Sequence, residues 1–117
     1  MSTDPRAAIA AADTALGIEF GSTRIKAVLI GPDHEMLATG GHGWENHLEG
    51  GLWSYTLDEV VAGLRAAYSS LVADVRERYD VIPASYGSIG ISAMMHGYLA
   101  FDAEGNLLAP FRTWRNT

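Results

Sequence analysis

The sequence predicts an α/β fold, in which a mixed sheet of three antiparallel strands plus one parallel strand packs against one long helix. Three short apolar segments separated by tight turns occupy residues 16–41. A long stretch with helical periodicity follows at 57–79, and another short apolar segment at 86–92. Because a strand that follows a long helix usually crosses over to a parallel position, this order of elements predicts the mixed sheet.

The first two strands are predicted to form a hairpin. Residues 16–20 and 25–30 are mostly apolar, and the second segment is rich in β-branched side chains. The short connection between them consists of Gly21, Ser22 and Thr23. Two apolar arms joined by small polar residues are typical of a β-hairpin.

A third strand at 35–41 is predicted to extend the hairpin into an antiparallel meander, because the turn at 31–34 reads Gly-Pro-Asp-His. Glycines at positions 40, 41 and 43 are expected to end this strand. The next residues, 42–55, are rich in glycine and aromatic side chains and are predicted to form a long loop that lines a ligand cleft. Their His and Glu residues lack the spacing of a metal site.

The helix at 57–79 has apolar residues at helical spacing along one face. Thr56 and Glu59 form the pattern of a capping box at its start. Tyr55, directly before the cap, is predicted to pack against Val60 as a hydrophobic staple. We therefore interpret this helix as structural.

The remaining segments are a predicted leader at the start of the chain and a second hairpin near its end. Residues 1–14 are interpreted as a mobile leader with a turn of helix, and residues 15–117 as the domain. Near the other end, Asp102-Ala103-Glu104-Gly105-Asn106 is predicted to be the turn of a second hairpin.

Composition excludes several classes of protein. Of the 117 residues, 48% are hydrophobic and 19% are charged, which indicates a folded globular chain. The formal net charge of −6 argues against a nucleic-acid partner bound through its phosphates. There is no cysteine, so disulfides and thiolate chemistry are excluded. No apolar run reaches the roughly 20 residues of a membrane span, and a cytoplasmic setting is expected.

The hairpin contains residue types that could bind a phosphate. Glycine lets a ligand approach the backbone, neighbouring amides can bind an anion, and hydroxyl and basic side chains add donors and charge. A carboxylate just before the turn could bind a divalent cation, usually through water. An ordinary hairpin whose glycine serves only the turn has the same pattern. The residues concerned are Glu19, Gly21, Ser22, Thr23, Arg24 and Lys26.

A family resemblance favours the phosphate interpretation. Residues 17–26, Gly-Ile-Glu-Phe-Gly-Ser-Thr-Arg-Ile-Lys, resemble the first phosphate motif of the FGGY carbohydrate kinases, Gly-Ile-Asp-x-Gly-Thr-[Ser/Thr]-x-x-Lys. Glu19 and Ser22 stand where that motif has Asp and Thr. The resemblance implies a partial ribonuclease H-like fold, the fold of the actin-like ATPases.

Two later segments resemble the same family. Residues 89–97, Ile-Gly-Ile-Ser-Ala-Met-Met-His-Gly, are similar to a xylulokinase segment whose Met-His pair contacts the sugar, which implies that role for Met95 and His96. Residues 110–117 resemble the family segment Pro-x-Ile-x-Trp-x-Asp-x-Arg beside the sugar, so Trp114 is implied to cover an apolar sugar face. Met94 and Asn116 depart from the xylulokinase pattern, where Gln and Asp are usual.

The resemblance implies transfer of the γ-phosphoryl group of ATP to a hydroxyl of a pentulose or related sugar, with Mg²⁺ as cofactor. Glu19 is implied to bind the hydrated metal, and Gly21, Ser22, Thr23 and Lys26 to bind the nucleotide phosphates. The catalytic base and most of the adenine site of such kinases lie beyond residue 117. We therefore expect an amino-terminal part of a kinase that has no activity without the remainder of its chain.

Two other functions fit parts of the pattern. A non-enzymatic sugar-binding module would use the cleft without ATP. An actin- or chaperone-like ATPase would share the hairpin but not the sugar-contacting segments at Met95, His96 and Trp114. Independently of function, an unpaired edge of the predicted sheet would allow a homodimer.

Overall fold

A computed structural model describes residues 4–45, 47–49, 52–93, 100–106, 108 and 111–112 of the chain. Within these residues the backbone forms a four-stranded sheet, a separate three-stranded sheet and two helices. No helix in these ranges is long and apolar enough to cross a membrane. The elements in chain order are α1 (Pro5–Ala10), β1 (Ala15–Phe20), β2 (Arg24–Ile30), β3 (Met36–Gly43), β4 (His47–Glu49), β5 (Leu52–Tyr55), α2 (Leu57–Tyr79), β6 (Ser88–Ala93) and β7 (Phe111–Arg112).

The larger sheet has the strand order β3-β2-β1-β6. Strand β2 pairs antiparallel with both β1 and β3, whereas β6 pairs parallel with β1. The long helix α2 connects β5 with β6 and packs on the sheet. The predicted fold class, a mixed sheet of three antiparallel strands and one parallel strand with one long helix, is confirmed.

Strand β2 shows why the sheet has one buried and one open face. Ile25, Ala27 and Leu29 are buried, whereas the intervening Lys26 is exposed. Successive side chains of a strand point to opposite faces, so the apolar set faces α2 and the other set faces away. Leu29 belongs to the same core cluster as residues of α2 such as Leu71.

Helix α2 approaches strand β3 at Gly40 without an intervening side chain. A Cβ atom at this glycine would lie 2.3 Å from the backbone nitrogen of Leu71 and 2.4 Å from the carbonyl oxygen of Ala67. The position therefore requires glycine because the helix backbone occupies the space of a side chain.

Side chains of α2 also bind the outer edge of β3. The carboxylate of Asp74 accepts a hydrogen bond of 2.9 Å from the backbone N–H of Thr39, and the hydroxyl of Ser70 accepts one of 3.4 Å from the N–H of Gly41. Arg78 in turn donates to Asp74 at 2.9 Å. An unpaired strand edge is a template for aggregation, and the helix satisfies part of this edge.

The ends of α2 agree with the sequence prediction. The hydroxyl of Thr56 accepts a hydrogen bond from the N–H of Glu59, and the Glu59 carboxylate accepts one from the N–H of Thr56, so the capping box is formed. The helix ends at Asp80, which has the left-handed conformation with φ of 53°. Tyr55 and Val60 lie in the same apolar cluster, as the predicted staple requires.

The segment interpreted as a leader contributes to the core. Helix α1 begins after Asp4, whose side chain accepts a hydrogen bond from the N–H of Arg6. Ala8 and Ile9 are buried, and Ile9 packs in the cluster that contains Leu16. The predicted turn of helix is therefore present, and two of its side chains are part of the core.

The region 42–55 differs from its prediction as a loop. Strand β3 continues to Gly43, where it pairs with Arg24, and residues 47–55 contain the antiparallel strands β4 and β5. Strand β7 pairs with β5 to complete a small sheet. The prediction was wrong because glycine was interpreted as ending β3. At Gly40 the glycine instead allows close contact with a helix, and the pairing with β2 continues past it.

The predicted turn at Asp102 is present. Its carboxylate accepts hydrogen bonds from the backbone N–H groups of Asn106, at 2.8 Å, and Glu104, at 3.0 Å. These bonds lower the pKa of the Asp102 carboxyl group, with the bond from Asn106 as the largest cause. Asp102 is thus a structural turn residue.

The contact at Gly40 predicts a large difference between two glycines of the same strand. Gly40→Ala should lower the free energy of unfolding by about 3 kcal/mol, since the new methyl group must displace the helix backbone. Gly43→Ala is the matched control, because a Cβ atom there meets nothing within 4 Å. Its effect should stay within about 0.5 kcal/mol. Urea unfolding followed by circular dichroism measures both, and equal losses would contradict the close approach of α2.

The bond between Asp74 and the N–H of Thr39 predicts a pH dependence of stability. This bond is the largest cause of the lowered pKa of the Asp74 carboxyl group. Burial opposes it, and the hydrogen bond and charge of Arg78 lower the pKa further. Because the pKa is lower in the folded state, the carboxylate stabilises the fold at pH values above the unfolded-state pKa of about 3.8. That stabilisation is lost as the pH falls through the folded-state value.

Asp74→Asn should therefore be less stable than the wild type at pH 7 and should approach it on acidification from about pH 5 to pH 3. Glu77→Gln makes the same charge change on the same helix at an exposed position and should keep the wild-type pH dependence. Thermal unfolding at a series of pH values checks this. If the stability of Asp74→Asn falls on acidification as that of the wild type does, the hydrogen bond between Asp74 and Thr39 is not the cause of the pH dependence.

Candidate functional site

The site is built around the connection between β1 and β2, formed by Gly21, Ser22 and Thr23 and called here the turn. The N–H of Gly21 donates to the carbonyl oxygen of Arg24 at 2.9 Å and closes the turn. A Cβ atom at Gly21 would lie 2.9 Å from that same oxygen, so a side chain would force the backbone apart. The glycine is therefore required by the closeness of the two arms.

The carbonyl oxygens of the turn are hydrogen-bonded to two buried aromatic residues. The indole N–H of Trp44 donates to the carbonyl oxygen of Gly21 at 2.7 Å, and the backbone N–H of Trp44 donates to that of Thr23 at 3.1 Å. The hydroxyl group of Tyr55 donates to the carbonyl oxygen of Ser22. Each of the three carbonyls thus has a donor on the core side.

The backbone N–H groups of the turn make fewer hydrogen bonds than its carbonyl oxygens. The N–H of Gly21 is engaged with Arg24. The amides of Ser22 and Thr23 make no hydrogen bond within the described residues. Thr23 is exposed and Ser22 is half-buried. Of the three predicted phosphate-binding amides, the turn can therefore offer those of Ser22 and Thr23.

Glu19 lies at the end of β1 beside the turn. Its side chain is exposed, and a Cβ atom built at Gly21 would lie 4.0 Å from its Oε1 atom. In the sheet register Glu19 stands opposite Lys26 of β2 on one side and Ser92 of β6 on the other. Directly opposed residues share a face of the sheet, so a carboxylate, an ammonium group and a hydroxyl group form one row across three strands.

This row belongs to an open groove with a volume of about 790 Å³. The side chains of Glu19, Lys26 and Ser92 in its lining lie on the face of the sheet opposite the buried apolar residues of β2. Gly17 of β1 and Gly90 of β6, which are paired in the register, leave its floor without side chains. Its volume is in the range of small-molecule sites. The charged residues lining it are Glu19, Arg24 and Lys26.

The charges of the groove are not paired with one another. Neither Arg24 nor Lys26 forms an ion pair in the part of the chain that the structure describes, and both are exposed. The Arg24 guanidinium group lies over Gly41, where a Cβ atom would come within 2.7 Å of its Nη2 atom. Two positive charges are thus available to an anion near the turn.

Divalent-cation ligands are sparse in the described ranges. No three His, Cys, Asp or Glu side chains gather there in a way that could bind a metal ion. Glu19 is the carboxylate among the groove residues. A cation beside it would therefore take its other ligands from water or from a bound phosphate.

The carboxyl end of β6 lies beside the turn. Ala93, its last residue, pairs with Phe20, which directly precedes Gly21. In open α/β sheets ligands bind at the carboxyl ends of parallel strands, and here two such ends meet at the hairpin. The predicted sugar residues Met95, His96 and Trp114 lie outside the described residues, although Met95 and His96 follow Ala93 by two and three positions.

Sequence reasoning missed the roles of Trp44 and Tyr55. Trp44 was expected in a cleft-lining loop and Tyr55 as a helix staple, whereas both are buried against the turn, at 7% and 2% exposure. No local pattern indicates these contacts, because 23 and 33 residues separate the two aromatic side chains from their carbonyl partners along the chain. The one available signal is the position of Trp44 directly after a run of strand glycines.

Comparisons with known proteins place this geometry in context. No protein-family model matches the sequence. No curated protein matches it either. Solved structures do match. The fold is similar to a xyloylose kinase from Brucella ovis over 89% of this chain, with a TM-score of 0.72 and 25% sequence identity.

This chain has the fold of a sugar-kinase fragment. It is also similar to a ligand-bound xylulose kinase from Lactobacillus acidophilus, with a TM-score of 0.64, 20% identity and 86% of this chain covered. A xylulose kinase from Bifidobacterium adolescentis gives a TM-score of 0.65 at 14% identity over 92% of this chain. The predicted resemblance to the FGGY sugar kinases is confirmed at the level of the fold.

The chain spans about one fifth of the length of these structures, with 21%, 19% and 19% of their chains covered. The two lower identities indicate a shared fold and nothing about shared chemistry. These comparisons therefore establish the fold of the chain and leave its activity and substrate to be proposed.

Proposed function

We propose that this chain is part of an ATP-dependent kinase that phosphorylates a hydroxyl group of a pentulose or related sugar. It contributes the phosphate-binding hairpin and part of the sugar pocket. The observation that carries the proposal is the turn between β1 and β2. It has two hydroxyl groups and two amides without a partner among the described residues, and it joins Glu19 to Arg24 of the open groove within five positions. Its fold is that of a sugar-kinase fragment.

The donor set suits a nucleotide phosphate with its metal. The amides and hydroxyl groups of Ser22 and Thr23 can donate to phosphate oxygens, and Lys26 adds positive charge on the same face as Glu19. Mg²⁺ is usually bound through one or two carboxylates with several waters and substrate phosphates, so one carboxylate at Glu19 fits that ion. When bound, Mg²⁺ would neutralise charge on the phosphates.

The chain's own residues would act by positioning and by charge. Phosphoryl transfer needs little covalent chemistry from the protein and depends on alignment of the phosphate and on stabilisation of its negative charge. Ser22 and Thr23 would orient the terminal phosphate, and Lys26 would stabilise its charge. Glu19 would orient the hydrated cation beside the turn.

The sugar would bind next to the end of β6. Met95 and His96 follow Ala93 within a chain length that reaches about 11 Å at most, and Ala93 is paired with the residue before the turn. His96 could exchange hydrogen bonds with sugar hydroxyl groups, and Trp114 could cover an apolar sugar face. We propose these three residues as sugar contacts on the basis of the family resemblance.

The proposal assigns the general base and most of the adenine site to other residues of a longer kinase chain acting in the cytoplasm. Glu19, the one carboxylate among the groove residues, is assigned here to the hydrated cation, and no groove residue is a histidine or an aspartate. Residues 15–117 would form an amino-terminal part of domain I of that kinase. Binding of nucleotide without turnover is the expected behaviour.

The carboxylate at Glu19 predicts a metal-dependent effect on nucleotide affinity. Glu19→Gln should weaken binding of Mg·ATP about fivefold to tenfold, the loss expected for one water-mediated contact to a cation. When EDTA removes the metal, the same variant should not weaken binding of ATP, because without a cation the Glu19 carboxylate only repels the phosphates. NMR titration of the chain measures both affinities.

Glu77→Gln is the control for that comparison, since it removes one negative charge from the exposed side of α2 and should leave both affinities unchanged. An equal loss with and without Mg²⁺ in Glu19→Gln would contradict the metal role. Tight binding of sugar with no affinity for nucleotide would instead favour the sugar-binding module.

Because the general base is assigned to residues outside this chain, we expect the chain to bind nucleotide without turning over. A coupled assay for ADP release, with Mg·ATP and D-xylulose, should show no sugar-dependent rate above the rate without protein. A chain extended with the remainder of its kinase serves as the positive control. Sugar-dependent turnover by the 117 residues would refute the assignment of the base, and ATP hydrolysis indifferent to every sugar in the extended chain would favour an actin-like ATPase.

A further inference from the structure

Trp44 and Tyr55, called here the clamp, contact the turn from the side of the core. Their rings stack with centroids 4.2 Å apart and an interplanar angle of 25°. Phe20 and Ile25, which flank the turn on β1 and β2, belong to the same apolar cluster. The clamp is therefore a buried and closely packed pair placed directly beneath the turn.

The polar groups of the clamp are used on the turn. The indole N–H of Trp44 binds the carbonyl oxygen of Gly21, and the hydroxyl group of Tyr55 binds that of Ser22. The backbone N–H of Trp44 binds the carbonyl oxygen of Thr23. Buried donors need partners, and here successive carbonyls of one turn provide them.

Peptide geometry links these carbonyls to the amides on the other side. No cis peptide bond occurs among the described residues, so each carbonyl points opposite to the N–H of the next residue in the same plane. Because the carbonyls of Gly21 and Ser22 point to the clamp, the N–H groups of Ser22 and Thr23 point away from the core. The clamp thus fixes the direction of the two amides that have no partner in the described residues.

We propose that Trp44 and Tyr55 are positioning residues, which hold the turn by its carbonyl oxygens so that the amides of Ser22 and Thr23 are presented to a phosphate. This inference rests on the proposed function, because it assigns the phosphate to those amides. The clamp does not touch the phosphate. Donors fixed before binding need no reorganisation, so their loss should reduce affinity even when the fold is retained.

The chain offers a matched pair of tyrosines for the test. The hydroxyl of Tyr79 donates to the carbonyl oxygen of Leu37 at 2.8 Å, in the same kind of partly buried contact that Tyr55 makes with Ser22. Tyr79 is the last residue of α2 and Leu37 lies near the start of β3, remote from the turn in the sheet register. Tyr55→Phe and Tyr79→Phe each remove one such hydrogen bond.

The experiment measures binding of two probes, Mg·ATP and inorganic tripolyphosphate, together with melting temperature and the backbone ¹⁵N order parameters of the turn. Tyr55→Phe keeps the ring stack and should weaken both probes about fivefold. The order parameters of Ser22 and Thr23 should fall with it. Tyr55→Phe and Tyr79→Phe should lower the melting temperature by similar amounts, because each removes one such hydrogen bond. Tyr79→Phe should leave the affinity for both probes and the order parameters of the turn unchanged.

Trp44→Phe is a second variant, which removes the indole donor to Gly21 and should also weaken both probes. Wild-type affinity in Tyr55→Phe, or an equal loss in Tyr79→Phe, would overturn the positioning role while leaving the proposed function intact. A wild-type chain that binds neither probe would overturn the proposed function, and the phosphate role of the clamp with it. The two failures are therefore distinguishable by the wild type alone.

Discussion

The contact between the backbone of α2 and Gly40 of β3 constrains the rest of this structure. A side chain at that position would lie 2.3 Å from the nitrogen of Leu71, so the helix can lie on the sheet only where glycine leaves room. The helix then covers the buried set Ile25, Ala27 and Leu29. The opposite face of the sheet stays open and becomes the floor of the groove.

The small sheet and the extended β3 have their role at the turn. Strand β3 pairs with β2 as far as Gly43, which sets Trp44 beside the hairpin. Strand β5 ends at Tyr55, directly before the cap of α2 at Thr56. Two strands and one helix cap thus place an aromatic pair beneath three carbonyl groups. The direction of the amides of Ser22 and Thr23 follows from that packing, since each peptide plane has opposite donor and acceptor ends.

The electrostatics of the groove agree with an anionic ligand despite the net charge of −6. Arg24 and Lys26 are exposed and have no ion-pair partner among the described residues, whereas the acid Asp74 is bonded to Thr39 and Arg78 at the edge of β3. Local charge near a site affects ligand binding more than the formal total does, because exposed charges are screened over about 8 Å at physiological salt. Glu19 is the one carboxylate among the groove residues.

The sequence by itself determined the elements whose signals are local. The bounds of α2, its capping box at Thr56 and the hairpin at Gly21 follow from periodicity and turn chemistry within a few residues. The mixed sheet followed from the order of those elements. The resemblance at 17–26 predicted the fold, which is confirmed, and it also predicted the hairpin as the candidate site.

Only the tertiary structure decided what lies beneath the turn and how far β3 extends. Glycine at position 40 reads locally as the end of a strand, yet it is required by a helix backbone that comes 27 to 31 residues later in the chain. The bonds from Trp44 and Tyr55 to the turn cross 23 and 33 residues. Such contacts depend on which surfaces meet after folding, and a local pattern of residues contains no information about its distant partner.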